Sequence, residues 1–288
     1  MPPRPVIALF LCLFANQSGT LVLSPILVEV ARDFDVSTAA AGQLRAISGV
    51  AAGTTALAIG MLARRAGLRR LILAGLSLLA AGCVLSAAAP AFAVLALAQV
   101  PVGVAVGVLL SSSVAGAAAW APRGARAQAL TWAFAGQAAA WIVGMPVIGV
   151  VGEASWRYAW LAVPLAAAVL AFAAASRLPA APALMGPSGG LRTLVRDRDV
   201  AVWAMGELFA YAAWTGTLVY AGALLIESYG ASLRTTGLLL GATMLAYSQA
   251  AFSSVAGSTR ARAGSSSVSR SPEPPASRSW EPSVRPCG

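Results

Sequence analysis

The sequence contains no histidine and no lysine, and only 10% of its 288 residues are charged. Without histidine there is no imidazole metal site, no histidine-based catalytic triad and no histidine proton relay. The three cysteines are Cys12, Cys83 and Cys287. The first two lie inside apolar runs and the third at the far end, so neither a disulfide framework nor a CxxC metal site is implied. No metal or cofactor is expected. The shortage of charge is as informative, because a soluble domain carries about 25% charged residues. No acidic pair within one apolar run and no nucleophile motif is visible, so an embedded enzyme is a poor reading.

What is present is apolar sequence: 58% of residues are hydrophobic and the mean hydropathy is +0.76. This places the chain in the integral-membrane class. The net charge of +10 comes entirely from arginine. Most of these arginines form short clusters between apolar runs, which is a topological pattern rather than a nucleic-acid surface.

A span needs about 20 mainly apolar residues. Residues 6–28 form the first, because the apolar character continues past Asn16, Gln17 and Ser18 and is too long for a signal core. Residues 39–63 form the second, with Arg45 near its start. Residues 71–122 carry no charge. As one helix they would extend about 78 Å, so they fold back near Pro90 as spans three and four. Residues 127–151 and 156–175 are spans five and six. Residues 200–226 are span seven, containing Glu207, and residues 233–257 are span eight. The fold expected is an all-α polytopic membrane protein: a six-helix N-terminal bundle (1–176), a cytoplasmic linker (177–199), two helices of an incomplete second bundle (200–257) and a Ser/Pro/Arg-rich disordered tail (258–288).

The arginines set the orientation. With the N-terminus inside, eleven arginines before the tail fall in inside connections and three in outside ones, besides Arg45. That is a positive-inside asymmetry, with both termini cytoplasmic and the cell membrane as the location.

The stretch Gly60-x-Leu62-Ala63-Arg64-Arg65-x-Gly67-x-Arg69-Arg70 reads as a tight turn between spans two and three. Its spacing has an echo at Gly257, Arg262 and Gly264, and the Phe34, Ser37, Gly42 pattern has one at Tyr229, Ser232 and Gly237. The echoes predict two homologous halves. Because the second half then departs from the first, the chain reads as a truncated member of a twelve-span family.

The turn resembles the Gly-x-Leu-Ala-Asp-Arg-x-Gly-Arg-Arg loop of the major facilitator superfamily. Arg64 stands where the family has an acid that helps latch the two halves. Gly144-x-Pro146-x-x-Gly149, followed by Trp156-Arg157-x-x-Trp160, resembles the drug and arabinose-efflux permease branch. Gln99 stands four residues before Gly103, where the family often has a proton-linked arginine. The resemblance implies a secondary transporter, an efflux permease moving a small molecule through the bilayer by alternating access, with proton coupling. The rival reading is a truncated, non-transporting remnant.

Candidate site residues follow from polar groups inside spans, which are costly and so informative. Asn16, Gln17 and Ser18 lie mid-span; by the resemblance, spans one, four, seven and ten line the cavity. Glu207, Tyr211 and Trp214 share one face of span seven at i, i+4 and i+7. Glu207 is the proton-coupling candidate, because burial would raise a carboxylate pKa; a structural acid is the competing reading. Gln43, Gln99, Gln137 and Tyr220 are weaker candidates. Arg45 and Glu29 are expected to snorkel to the outer surface. Gly103, Gly107, Ser111 and Ala115, and likewise Gly136, Ala140 and Gly144, make small-residue stripes for close helix packing.

Overall fold

The computed structural model describes residues 3–180 and 197–247, and within them not the side chains of residues 3, 60–65 and 123. The expected linker between 181 and 196, the echo at Gly257–Gly264 and the tail lie outside the described residues. All regular structure described is helical. The helices are α1 (Pro3–Leu21 continuing as Leu23–Asp33), α2 (Thr38–Ala66), α3 (Leu68–Ala87) and α4 (Phe92–Trp120). They continue with α5 (Arg126–Gly152), α6 (Trp156–Ala175), α7 (Arg198–Tyr229) and α8 (233–247). Six of them (α1, α3, α4, α5, α6 and α7) are long and apolar enough to cross a membrane. Helix α2 matches α4 in length at 29 residues.

Local chemistry places the boundaries. Ser37 caps α2 by accepting from the Ala40 amide at 3.1 Å, and Asp197 caps α7 through the Asp199 and Val200 amides at 3.0 and 3.5 Å. These contacts satisfy donors that a helix start leaves open. Helix α7 stops at Gly230, whose φ of 64° is left-handed, a conformation glycine adopts without steric cost.

The turn expected across Gly60–Arg70 is much shorter than the motif. Residues 60–66 continue α2, Leu68 begins α3, and Gly67 alone reverses the chain, with φ 77° and ψ 141°. Glycine is the residue for which positive φ carries no Cβ penalty, so one residue suffices.

Prolines mark the irregular turns. Each lacks the amide that would bond four residues back. Pro25 follows the interruption of α1 at Val22. Pro146 follows a widened turn at Ala140–Gly144 in α5, and Pro164 lies within another at Leu161–Leu165 in α6. Such i→i+5 turns absorb a missing donor without ending the helix.

Small residues set the helix spacing, as the stripes predict. A methyl built on Gly103 would come within 2.8 Å of the Ala51 Cβ, and one on Gly107 within 3.0 Å of the Thr55 Cβ. Helices α2 and α4 therefore touch backbone to side chain. Gly136 lies in the same way against the Phe10 carbonyl, joining α5 to α1. In a bilayer, where lipid tails are as apolar as leucine, such close approach is the main packing drive.

The ends joined by the connections 34–37, 88–91 and 153–155 hold a polar cluster. Arg157 donates to Asp33 Oδ2 at 2.7 Å and to the Ala89 carbonyl at 3.2 Å, and its guanidinium stacks 4.3 Å from the Trp156 ring centroid. Trp156 Nε1 donates to the same Asp33 oxygen at 3.0 Å. The Trp-Arg pair thus ties α1, the α3–α4 turn and α6 together. At the opposite ends, Arg69 Nη2 donates to the Ser176 carbonyl just past α6, where a cation complements the helix C-terminus.

Candidate functional site

Among the described residues, the C-terminal third of α7 meets the first six helices at the end that carries the Asp33–Arg157 cluster, and α8 packs along α5 from Gly149 down to Trp141. Gly222 of α7 lies against the Ser24 backbone of α1, where an added methyl would come within 3.1 Å of the carbonyl carbon. Gly149 of α5 and Gly237 of α8 face each other. A methyl on Gly149 would lie 2.6 Å from the Leu233 oxygen, and one on Gly237 2.6 Å from the Met145 oxygen. Two polar contacts complete the seam: Thr38 Oγ1 donates to Glu227 Oε1 at 2.6 Å, and the Arg234 amide to Glu153 Oε1 at 3.2 Å. A cleft of about 500 Å³ opens at this rim, lined by Glu29, Arg32, Glu153, Ser155, Trp156 and Leu233 among others.

Away from the seam α7 is uncovered. Every residue from Val202 to Trp214 is exposed. Buried positions begin at Val219 and continue with Gly222, Ala223 and Ile226. Tyr211 (60% exposed) and Trp214 (41%) stand on the uncovered length with Glu207.

The α1 candidates are placed differently. Asn16, Gln17 and Ser18 are all buried. Ser18 Oγ donates to the Phe14 carbonyl at 2.8 Å and lies beside Gly144 of α5. The Asn16 Oδ1 atom is buried without a partner among the described residues. Ser112 and Ser113 of α4, which sequence reasoning passed over, share that property. Small hydroxyls in an alanine- and glycine-rich helix look like packing residues, and nothing in their spacing set them apart.

Gln99 is almost fully buried between α3 and α4, donating to Ser86 Oγ at 3.2 Å. Gln137 is half-buried and Gln43 exposed. Tyr220 sets its ring against Gly42 of α2, the Tyr Cζ being 2.9 Å from where a methyl would stand. Gly149 and Pro146 lie on the α5 face turned to α8, with Pro146 packed on Gly241, whereas Gly144 faces Val163 of α6 and Ser18 of α1. Gly67 and Arg70 are exposed at the α2–α3 turn. Of the motif residues Gly60, Arg64 and Arg65 only the helical backbone is described.

Arg45 is half-buried, and Tyr220 of α7 packs on Gly42 of α2 one turn nearer the rim.

A family model described as Major Facilitator Superfamily matches residues 9–266. The chain belongs to the Major Facilitator Superfamily. Its fold is accordingly the multi-pass helical membrane fold of that family. Solved structures of similar fold include a bacterial homolog of the human lysosomal transporter Spinster in an inward-facing, unoccupied conformation. That structure is 17% identical, with a TM-score of 0.73, over 84% of this chain and 60% of the other. A D-xylose–proton symporter is 16% identical, with a TM-score of 0.61, over 84% and 65%. A POT family transporter in complex with 5-aminolevulinic acid is 13% identical, with a TM-score of 0.55, over 77% and 50%. The chain thus spans one half to two thirds of the length of these superfamily structures, and at these identities the likeness is one of fold.

Proposed function

We propose that this chain is a secondary transporter of the drug and arabinose-efflux branch, moving a small molecule by alternating access. The observation that carries the reading is the rim seam together with the uncovered N-terminal length of α7. The crossings Ser24/Gly222 and Gly149/Gly237 close α7 and α8 on the first six helices at the rim, while residues 202–214 stay uncovered. A transporter caught with one side shut has this form. By the positive-inside rule the arginine-bearing end is cytoplasmic, so the arrangement is inward-open.

In this reading Tyr211 and Trp214 front the path, and Glu207 is the carboxylate there that exchanges a proton. It sits nine residues into α7, about 14 Å from its start. Asn16, Gln17 and Ser18 line the α1 side once the rim opens and the helices repack.

Proteoliposome uptake tests this, with benzenesulfonate, arabinose and ethidium as anionic, neutral and cationic probes. At least one should enter faster than into protein-free vesicles, and an imposed pH gradient should change that rate. No flux of any probe would overturn the transporter reading; flux indifferent to the gradient would overturn coupling. A second reading, binding without translocation, is favoured by the all-round exposure of residues 202–214. The same assay separates the two.

A further inference from the structure

The contact of Tyr220 with Gly42 is the upper end of two longer faces. Successive residues of a helix turn by about 100°, so Gly49 and Gly53, seven and eleven residues after Gly42, lie within about 20° of it on α2. Ala213 and Phe209, seven and eleven residues before Tyr220, share its face of α7 in the same way. The helices run antiparallel: α2 starts at the rim and α7 ends there, joined by Thr38 and Glu227. The register of Tyr220 on Gly42, carried down both helices, sets Ala213 opposite Gly49 and Phe209 opposite Gly53. Each ring on α7 then has a glycine across from it.

Of these pairings the structure makes the upper one. A methyl on Gly49 or Gly53 would meet nothing within 4 Å, both glycines are exposed, and Phe209 is 66% exposed. Glycine inside a helix is unfavourable relative to alanine, because it loses more backbone freedom on folding. At Gly103, Gly107 and Gly136 a closely packed neighbouring helix accounts for it. Gly49 and Gly53 carry the same cost without such a neighbour.

Helix α7 has a place to bend. Gly216 and Thr217 stand between the uncovered residues 202–214 and the buried positions that begin at Val219. A methyl on Gly216 would also meet nothing within 4 Å. Thr217 Oγ1 donates to the Ala213 carbonyl at 2.9 Å, a back-bond that bends helices, and glycine beside a small hydroxyl residue is a common kink site. A bend there carries the lower length of α7 as a unit, while Tyr220, Gly222 and Glu227 hold the rim.

We infer that α7 bends at Gly216–Thr217 and docks its lower length on the glycine face of α2, Ala213 on Gly49 and Phe209 on Gly53, giving a state shut at both ends. The occupant of that face is α7 of the same chain, because the face continues a contact that α7 already makes. Calling this state occluded rests on the transporter reading; the docking itself needs no translocation.

Paired cysteines test it in the purified chain in detergent micelles, with the three native cysteines replaced by serine. Disulfide formation under copper–phenanthroline needs Cα atoms within about 7 Å. Gly49→Cys with Ala213→Cys, and Gly53→Cys with Phe209→Cys, should close within one chain at least about tenfold faster than Gly53→Cys with Tyr211→Cys, whose second position lies at similar depth about 180° round α7 from Tyr220. Gly53→Leu should slow the Gly49/Ala213 pair by at least about tenfold, because the added side chain fills the approach. Val50→Leu, at a position 68% exposed and off the glycine face, should not slow it. Both leucine variants must elute as wild type on size exclusion; if Gly53→Leu does not, the facing and opposed cysteine pairs carry the decision. Equal rates for facing and opposed pairs, no disulfide in either facing pair, or a product only of twice the chain mass, which would put a second copy on α2, would overturn the inference. Closure of the facing pairs without vesicle flux would count against the transporter reading alone, and vesicle flux without closure against the docking alone.

Discussion

The Gly149/Gly237 crossing makes a quantitative prediction about the seam. Replacing Gly149 by alanine puts a methyl 2.6 Å from the Leu233 carbonyl oxygen and 3.1 Å from the Gly237 Cα. Ordinary contact begins near 3.4 Å, so α8 must retreat by about 0.8 Å, and backbone cannot rotate aside as a side chain can. Overpacking of this kind costs about 1–3 kcal/mol, which at about 1.4 kcal/mol per factor of ten is roughly a 5- to 150-fold shift against the closed seam. The shift can be read by cross-linking Thr38→Cys to Glu227→Cys, whose parent side chains are hydrogen-bonded across the same rim. A short bifunctional thiol reagent should link them readily in the parent and at a clearly lower rate with Gly149→Ala. Gly53→Ala and Gly216→Ala are the controls, because nothing lies within 4 Å of a methyl at either; neither should slow cross-linking. Unchanged cross-linking in Gly149→Ala, or equal slowing by the two controls, would refute the reasoning.

Other substitutions test other parts of the account. Arg157→Ala removes the contacts to Asp33, Ala89 and Trp156; because the pair is partly exposed, about 1–2 kcal/mol is expected, seen as a lower midpoint of thermal unfolding in detergent, with Arg157→Lys intermediate. Gln99→Leu leaves Ser86 Oγ without its carboxamide donor and should lower stability by about 1 kcal/mol, seen as a lower midpoint of thermal unfolding in detergent. Asp197→Ala removes the cap of α7 at a cost of about 1 kcal/mol, measured as faster amide exchange over residues 199–203.

What was legible in the sequence followed from local chemistry. Apolar runs and arginine clusters gave the helices in order, and the glycine stripes marked α4 and α5 as closely packed, because both signals live within one helix; that α2 and α1 are the partners is a tertiary fact. The breadth of the Gly60–Arg70 motif was misleading: its residues read as a loop, yet helix continues through 66 and Gly67 alone turns. The Trp156–Arg157 pair was visible, but its partners Asp33 and Ala89 lie 124 and 68 residues from Arg157 and only folding joins them. Arg45 was read as snorkelling outward because it lies near a helix start. Tyr220 covering Gly42 from another helix, one turn away, is a contact that no periodicity reports. Asn16 to Ser18 were legible as polar groups in an apolar run, but whether they face helices or a path is a tertiary fact.

The central proposal is that the seam shuts the rim while the middle of α7 opens to the arginine-bearing side, which the positive-inside rule assigns to the cytoplasm. The direct test is labelling of Tyr211→Cys by a membrane-impermeant maleimide, with the three native cysteines replaced by serine. The account predicts rapid modification in inside-out vesicles and protection in right-side-out vesicles. Modification from the outer side alone, or at equal rates from both sides, would contradict it.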